Sequence, residues 1–119
     1  MRRKQLARRK MARVMDELYT TLFMAGAQRV DMSLERLEGG LRLTMAADYA
    51  PEHRHHLEEM ARLLQPEERD PALVKTYWEL AGEDLTGSDS EIALVGHMVD
   101  EAQVELGEAR VTLCLTLSY

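Results

Sequence analysis

The apolar residues change their period at Gly26, and that switch decides most of what the chain can become. From about Lys4 to Ala25 they recur at three- and four-residue steps (Ala7, Met11, Val14, Met15, Leu18, Leu22, Ala25), with no proline or glycine between them. That spacing predicts one amphipathic helix of about six turns, stopped by Gly26. Beyond it the period is two. Val30, Met32 and Leu34 alternate with Asp31, Ser33 and Glu35, and Leu41, Leu43, Met45 and Ala47 alternate with Arg42, Thr44 and Ala46. Two such runs on either side of Gly39-Gly40 predict a β-hairpin whose turn holds both glycines at positive φ. Its apolar face is expected to be covered and its polar face wet.

The helical period returns after Pro51, which suits the first position of a second helix, with Glu52 favourable near the dipole. Leu57, Met60, Ala61 and Leu64 mark its stripe, and Gln65 to Glu68 breaks it. Asp70 and Pro71 read as the cap and first residue of a third helix, with Leu73, Val74, Tyr77, Trp78 and Ala81 on its apolar face and Gly82 at its end. Ser88 and Glu91 have capping-box spacing ahead of a fourth helix, Ile92 to Val99, apolar on most sides. Ala102, Val104 and Leu106, then Val111, Leu113, Leu115 and Leu117, form a second hairpin around Gly107-Glu108-Ala109. The economical packing is an α+β two-layer sandwich. A four-stranded, mainly antiparallel sheet carries helices on one face, with a long N-terminal helix. A length of 119 residues suits one domain over 1–119.

Charge is unevenly placed. Of 15 basic residues, seven (Arg2, Arg3, Lys4, Arg8, Arg9, Lys10, Arg13) precede the first acid, Asp16, leaving 8 basic against 21 acidic residues in the remainder. Residues 1–13 therefore read as a basic helical arm on an acidic body. Basic residues at a helix N-terminus oppose its dipole, so this end is expected to fray. The arm has four readings: a solvated helix face, a phosphate clamp for nucleic acid, a contact with an anionic membrane, or a contact with the acidic face of a second copy. The net charge of −6 argues against wholesale nucleic-acid binding, and six aromatic residues make no base-stacking platform. No apolar run approaches the roughly 18 residues of a membrane span. The lone Cys114 rules out an internal disulfide and suits a reducing, cytoplasmic location.

The order helix, hairpin, helical insert, apolar helix and hairpin resembles the gyrase/histidine-kinase-like (GHKL) ATPase superfamily, in particular its anti-sigma-factor and histidine-kinase ATP-binding domains. Glu17-Leu18-Tyr19-Thr20-Thr21, running into Ala25 to Val30, is similar to the family's first motif, a glutamate followed four residues later by an asparagine. Asp48 matches the aspartate that receives the adenine amino group. Gly87 to Val95 resembles the glycine-rich box that opens the last helix. The resemblance thus implies vestigial nucleotide positions at Glu17, Asp48 and Gly87.

The departures bear on the chemistry. Thr21 stands where the family has its magnesium-binding asparagine, and a short branched hydroxyl is a poor substitute for a carbonyl ligand of a hard cation. Tyr49, Ala50 and Pro51 follow Asp48 where the family has glycines. Only Gly87 survives in the last box, where Asp89 and Glu91 add negative charge beside a phosphate path. The expected result is a scaffold without phosphate chemistry: no catalytic residues, and no ATP or magnesium cofactor.

Other constellations are weaker. His53 and His56 lie one turn apart and could hold a zinc or nickel ion if His97 or another group joined them, although their spacing is not the metalloprotease motif. His97 itself reads as a packed histidine bonded to a carbonyl. Ser88 and Ser90 fit capping better than nucleophilic catalysis, and Glu17 is a general base only if a substrate site lies beside it. Tyr77 and Trp78 either anchor the third helix or form an interface; with Arg8 and Arg9 they are the candidate interface residues. The eight methionines suit core filling or a soft contact surface. The reading that follows is a non-catalytic regulatory or protein-interaction domain, self-associating or bound to another protein. The overlong first helix is expected to pack its N-terminal turns on a second chain. The alternatives are a nucleotide-binding regulator or kinase-like enzyme using Glu17 and Asp48, and a nucleic-acid binder using the basic arm.

Overall fold

A computed structural model describes residues 2–70, 72 and 92–119. Helix α1 (Arg2–Met24) leads into strands β1 (Val30–Leu37) and β2 (Gly40–Asp48). A 3-10 turn (Pro51–His53) and α2 (Arg54–Leu64) follow, then α3 (Ile92–Met98), β3 (Glu101–Leu106) and β4 (Arg110–Ser118). The strands form an antiparallel sheet in the order β1-β2-β4-β3, so the chain is an α+β fold. The third helix read from the sequence, with Tyr77 and Trp78, lies outside the described residues apart from its start. There the Asp70 carboxylate accepts the Ala72 amide at 2.9 Å, the bond expected of an N-cap.

The end of α1 follows from Gly26. Its φ of +92° is costly for any residue with a Cβ. It lets the Gly26 amide reach the Phe23 carbonyl and the Ala27 amide reach back to Leu22, both at 3.0 Å. This paired closure satisfies two of the carbonyls that a helix end leaves bare. The buried side of α1 is Ala7, Met11, Val14, Leu18 and Leu22, as the spacing requires.

Within residues 2–13 the helix is anchored on the body. Ala7 is 2% exposed and Met11 1%, both within the core, and Lys4 Nζ sits 5.5 Å from the centre of the Tyr119 ring. Tyr119 is itself tied to the first hairpin through the Gly39 carbonyl.

The first hairpin departs from expectation in two ways. Leu37 pairs with Gly40, so the connecting residues are Glu38 and Gly39, and neither glycine has a positive φ. Gly40 is required for a different reason. It lies in β2 beside β4, where an added Cβ would overlap the Leu117 carbonyl oxygen and come within 2.9 Å of Ser118 Cα. The second departure is coverage. Leu41, Leu43, Met45 and Ala47 of β2 are buried, but on the same face of β1 Met32 is 46% and Leu34 50% exposed. α1 packs over β2 and β4, and β1 is left at the margin.

The core joins α1, α2 and α3 to the helix-facing rows of β2 and β4. On α2 the buried residues are Leu57, Met60 and Leu64, and α2 ends as expected just before Gln65. α3 crosses α2 closely at Gly96, which is buried. A Cβ on Gly96 would overlap the Leu63 carbonyl oxygen and lie 3.3 Å from Leu64 Cα. On the opposite face of the sheet Ser33, Thr44, Cys114 and Gln103 align across the four strands, and no described helix covers them.

Candidate functional site

The residues singled out by the family resemblance fall on different parts of the fold. Glu17 is on α1, half-buried, and its carboxylate is 2.9 Å from the Arg13 guanidinium one turn earlier. The hydroxyl of Thr21 donates to the Glu17 carbonyl at 2.9 Å. That bond is the usual local satisfaction of a threonine within a helix, and it engages the one polar group at the position where the family presents its metal ligand.

Asp48 ends β2. By strand alternation it belongs with Arg42, Thr44 and Ala46, on the face turned away from the helices. Its Oδ1 accepts the backbone amides of Gln28 at 2.9 Å and Arg29 at 3.0 Å. These two amides lie in the connection between α1 and β1, so Asp48 pins the entry of the chain into the sheet. The Arg29 amide, then that of Gln28, holds its carboxyl below the usual carboxylate range. Gly87, the third of these positions, lies outside the described residues, as does the Ser88–Glu91 box.

Next to Asp48 is a cluster that leaves no signal in the sequence. Tyr49, 5% exposed, donates its hydroxyl to the Gly107 carbonyl. Arg54 Nη1 donates to the same carbonyl and to the Tyr49 hydroxyl, each at 2.6 Å. The pair clamps the start of α2 to the turn between β3 and β4. Tyr49 follows a strand directly and Arg54 opens a helix, so neither carries a periodicity signal. Their partner is a backbone carbonyl from the far end of the chain.

His53 and His56 have ring centres 5.5 Å apart, and the His55 ring lies 4.0 Å from that of His56, tilted by 37°. His97 is engaged elsewhere, its Nδ1 accepting the Asp70 amide at 2.9 Å, so its partner is a backbone amide and not a carbonyl. Among the described residues no group of three or more metal-ligating side chains comes together. A cavity of about 240 Å³ lies between the last turns of α1 and helices α2 and α3, with Thr21, Met24, His56 and Met60 in its wall. Asp48 does not line it. Arg8 and Arg9 are both exposed on α1, and Arg8 overlooks β1.

No helix among the described residues is long and apolar enough to cross a membrane. Comparison with family models, curated proteins and solved structures finds no match to this chain.

Proposed function

We propose that the chain is a non-catalytic regulatory domain that works through protein contacts, on a histidine-kinase-like scaffold whose nucleotide chemistry has been lost. The observation that carries this reading is the employment of Asp48. A carboxylate that receives an adenine amino group must have a free acceptor aimed into a cleft. Here Oδ1 is held by two amides of its own chain, and the carboxylate stands on the face away from the helices, outside the cavity between them. Thr21 adds support, because its short hydroxyl is turned to the Glu17 carbonyl and it has no amide oxygen to offer a cation.

The two uses of Asp48 predict different behaviour. As a structural acceptor, Asp48→Ala strands two backbone amides and lowers the melting temperature of the ligand-free chain. The group's native carboxyl lies below its ordinary range, so its contribution is fully present above the unfolded-state value and fades as pH falls through the native one. The melting difference between Asp48→Ala and the parent is therefore widest near neutrality and closes in acid. A carboxylate waiting for a ligand predicts an unchanged melting temperature at every pH, and thermal melts across a pH series decide between them.

A further inference from the structure

A groove of about 620 Å³ runs between α1 and the margin of the sheet, where β1 has a neighbour on one side only. Met11, Met15, Leu34 and Leu41 give it an apolar floor, while Lys4, Arg8 and Arg36 stand around it. Among the described residues that line it there is no acidic side chain. The chain otherwise carries an excess of acid, so a groove whose charged side chains are all basic, around an apolar floor, is a local reversal of its charge.

Three further features belong to the same side of the molecule. Met32 and Leu34 point to the helix-bearing face of β1 and are about half exposed, at 46% and 50%. The helical stripe that carries Arg8, Ala12 and Met15 continues to Tyr19, whose ring meets the exposed Phe23 edge to face at 6.1 Å. Along its outer edge β1 presents a row of backbone amides and carbonyls that no described strand pairs with, over eight residues.

We propose that this groove is the docking site for an extended acidic peptide of a partner protein. The peptide adds a strand antiparallel to β1, and the alternate residues that it turns to the groove are apolar beside Met32 and Leu34 and acidic against Lys4, Arg8 and Arg36. The proposal rests on the protein-contact reading above and names its surface and the chemistry of its partner. Strand addition supplies affinity through main-chain bonds, and alternate pockets supply selectivity. The basic rim steers an acidic strand into register.

A second copy is the poorer occupant. Joined edge to edge with the helices on the same side, its β1 would bring Val30, Met32, Leu34 and Arg36 to the groove, with no carboxylate to meet the rim. Nucleic acid would match the charge, but phosphates have no use for the apolar floor or for the strand edge.

The test uses the full chain and a fluorescein-labelled seven-residue peptide with glutamate, glutamate, valine and valine at its odd positions and threonine at its even ones, so that acids and valines share one face of a strand, followed by anisotropy. Its controls are the same peptide with lysine for glutamate and the same peptide N-methylated on alternate residues. The proposal expects the acidic peptide alone to bind, more weakly as salt rises, with amide exchange slowed across Val30–Leu37. Arg8→Glu and Arg36→Glu should each weaken binding about tenfold, equivalent to about 1.4 kcal/mol. Both side chains are exposed, and unchanged circular dichroism melts would show that the variants fold. Equal binding of the lysine or N-methylated peptide overturns the proposal, as does acidic-peptide binding indifferent to both substitutions. So does displacement by duplex DNA, or a dimer in light scattering that Leu34→Lys dissolves. A dimer would leave the protein-contact reading standing, whereas nucleotide binding would remove that reading without touching the groove.

Discussion

Leu43→Ala is expected to destabilise the fold by about 2–5 kcal/mol, the range for emptying a fully buried leucine site. For a chain of this size that lowers the melting temperature by roughly 8 °C or more. Leu34→Ala, the same change at the position directly across the ladder, is expected to stay within about 0.5 kcal/mol of the parent. The two leucines are register partners on one face of the sheet, yet Leu43 is 0% exposed and Leu34 50%. The difference is where α1 lies. Paired thermal or urea melts of the two variants measure it, and equal losses would mean that α1 covers β1 as well as β2.

Gly96→Ala is expected to destabilise by about 1–3 kcal/mol, in spite of a helix-propensity gain of up to about 1 kcal/mol. The added carbon would overlap the Leu63 carbonyl oxygen, and that atom belongs to the backbone of α2 and cannot swing aside. Relief requires α2 and α3 to part, which opens the core at Leu64 and Val95 on either side of the crossing. Chemical denaturation measures the loss. A stabilised Gly96→Ala chain would show that the two helices are not in this contact.

Periodicity carried the architecture a long way. The stripe Ala7 to Leu22 is the buried face of α1, Gly26 ends it at positive φ, and the two hairpins β1–β2 and β3–β4 pair as read, while nothing in the alternation indicates the central pairing of β2 with β4. Pattern alone could not say which strand would lie at the margin. Val30, Met32 and Leu34 alternate as cleanly as Leu41, Leu43 and Met45, and only the order β1-β2-β4-β3 separates exposed from covered. Gly40 misleads for a related reason. A glycine pair reads as a turn, but the residue is small because β4 passes close beside it.

The site was less legible than the fold. Asp48 stands out in the sequence as an acid closing a strand, but its partners are amides 19 and 20 residues earlier, set by how α1 enters the sheet. The Tyr49–Arg54–Gly107 clamp left no local trace, since it spans more than 50 residues of chain. The basic residues of α1 were visible as a run. Their burial of Ala7 and Met11 beneath, and the position of Arg8 beside Arg36, depend on the sheet that α1 covers.

Calorimetric titration of the full chain with ATP and magnesium bears most directly on the central claim, that this scaffold is employed for contacts and not for nucleotide chemistry. The account predicts no heat of binding and a melting temperature that does not move as ATP and magnesium are raised. A saturable heat, with a melting temperature that climbs with ligand and falls back in Asp48→Ala, would contradict it.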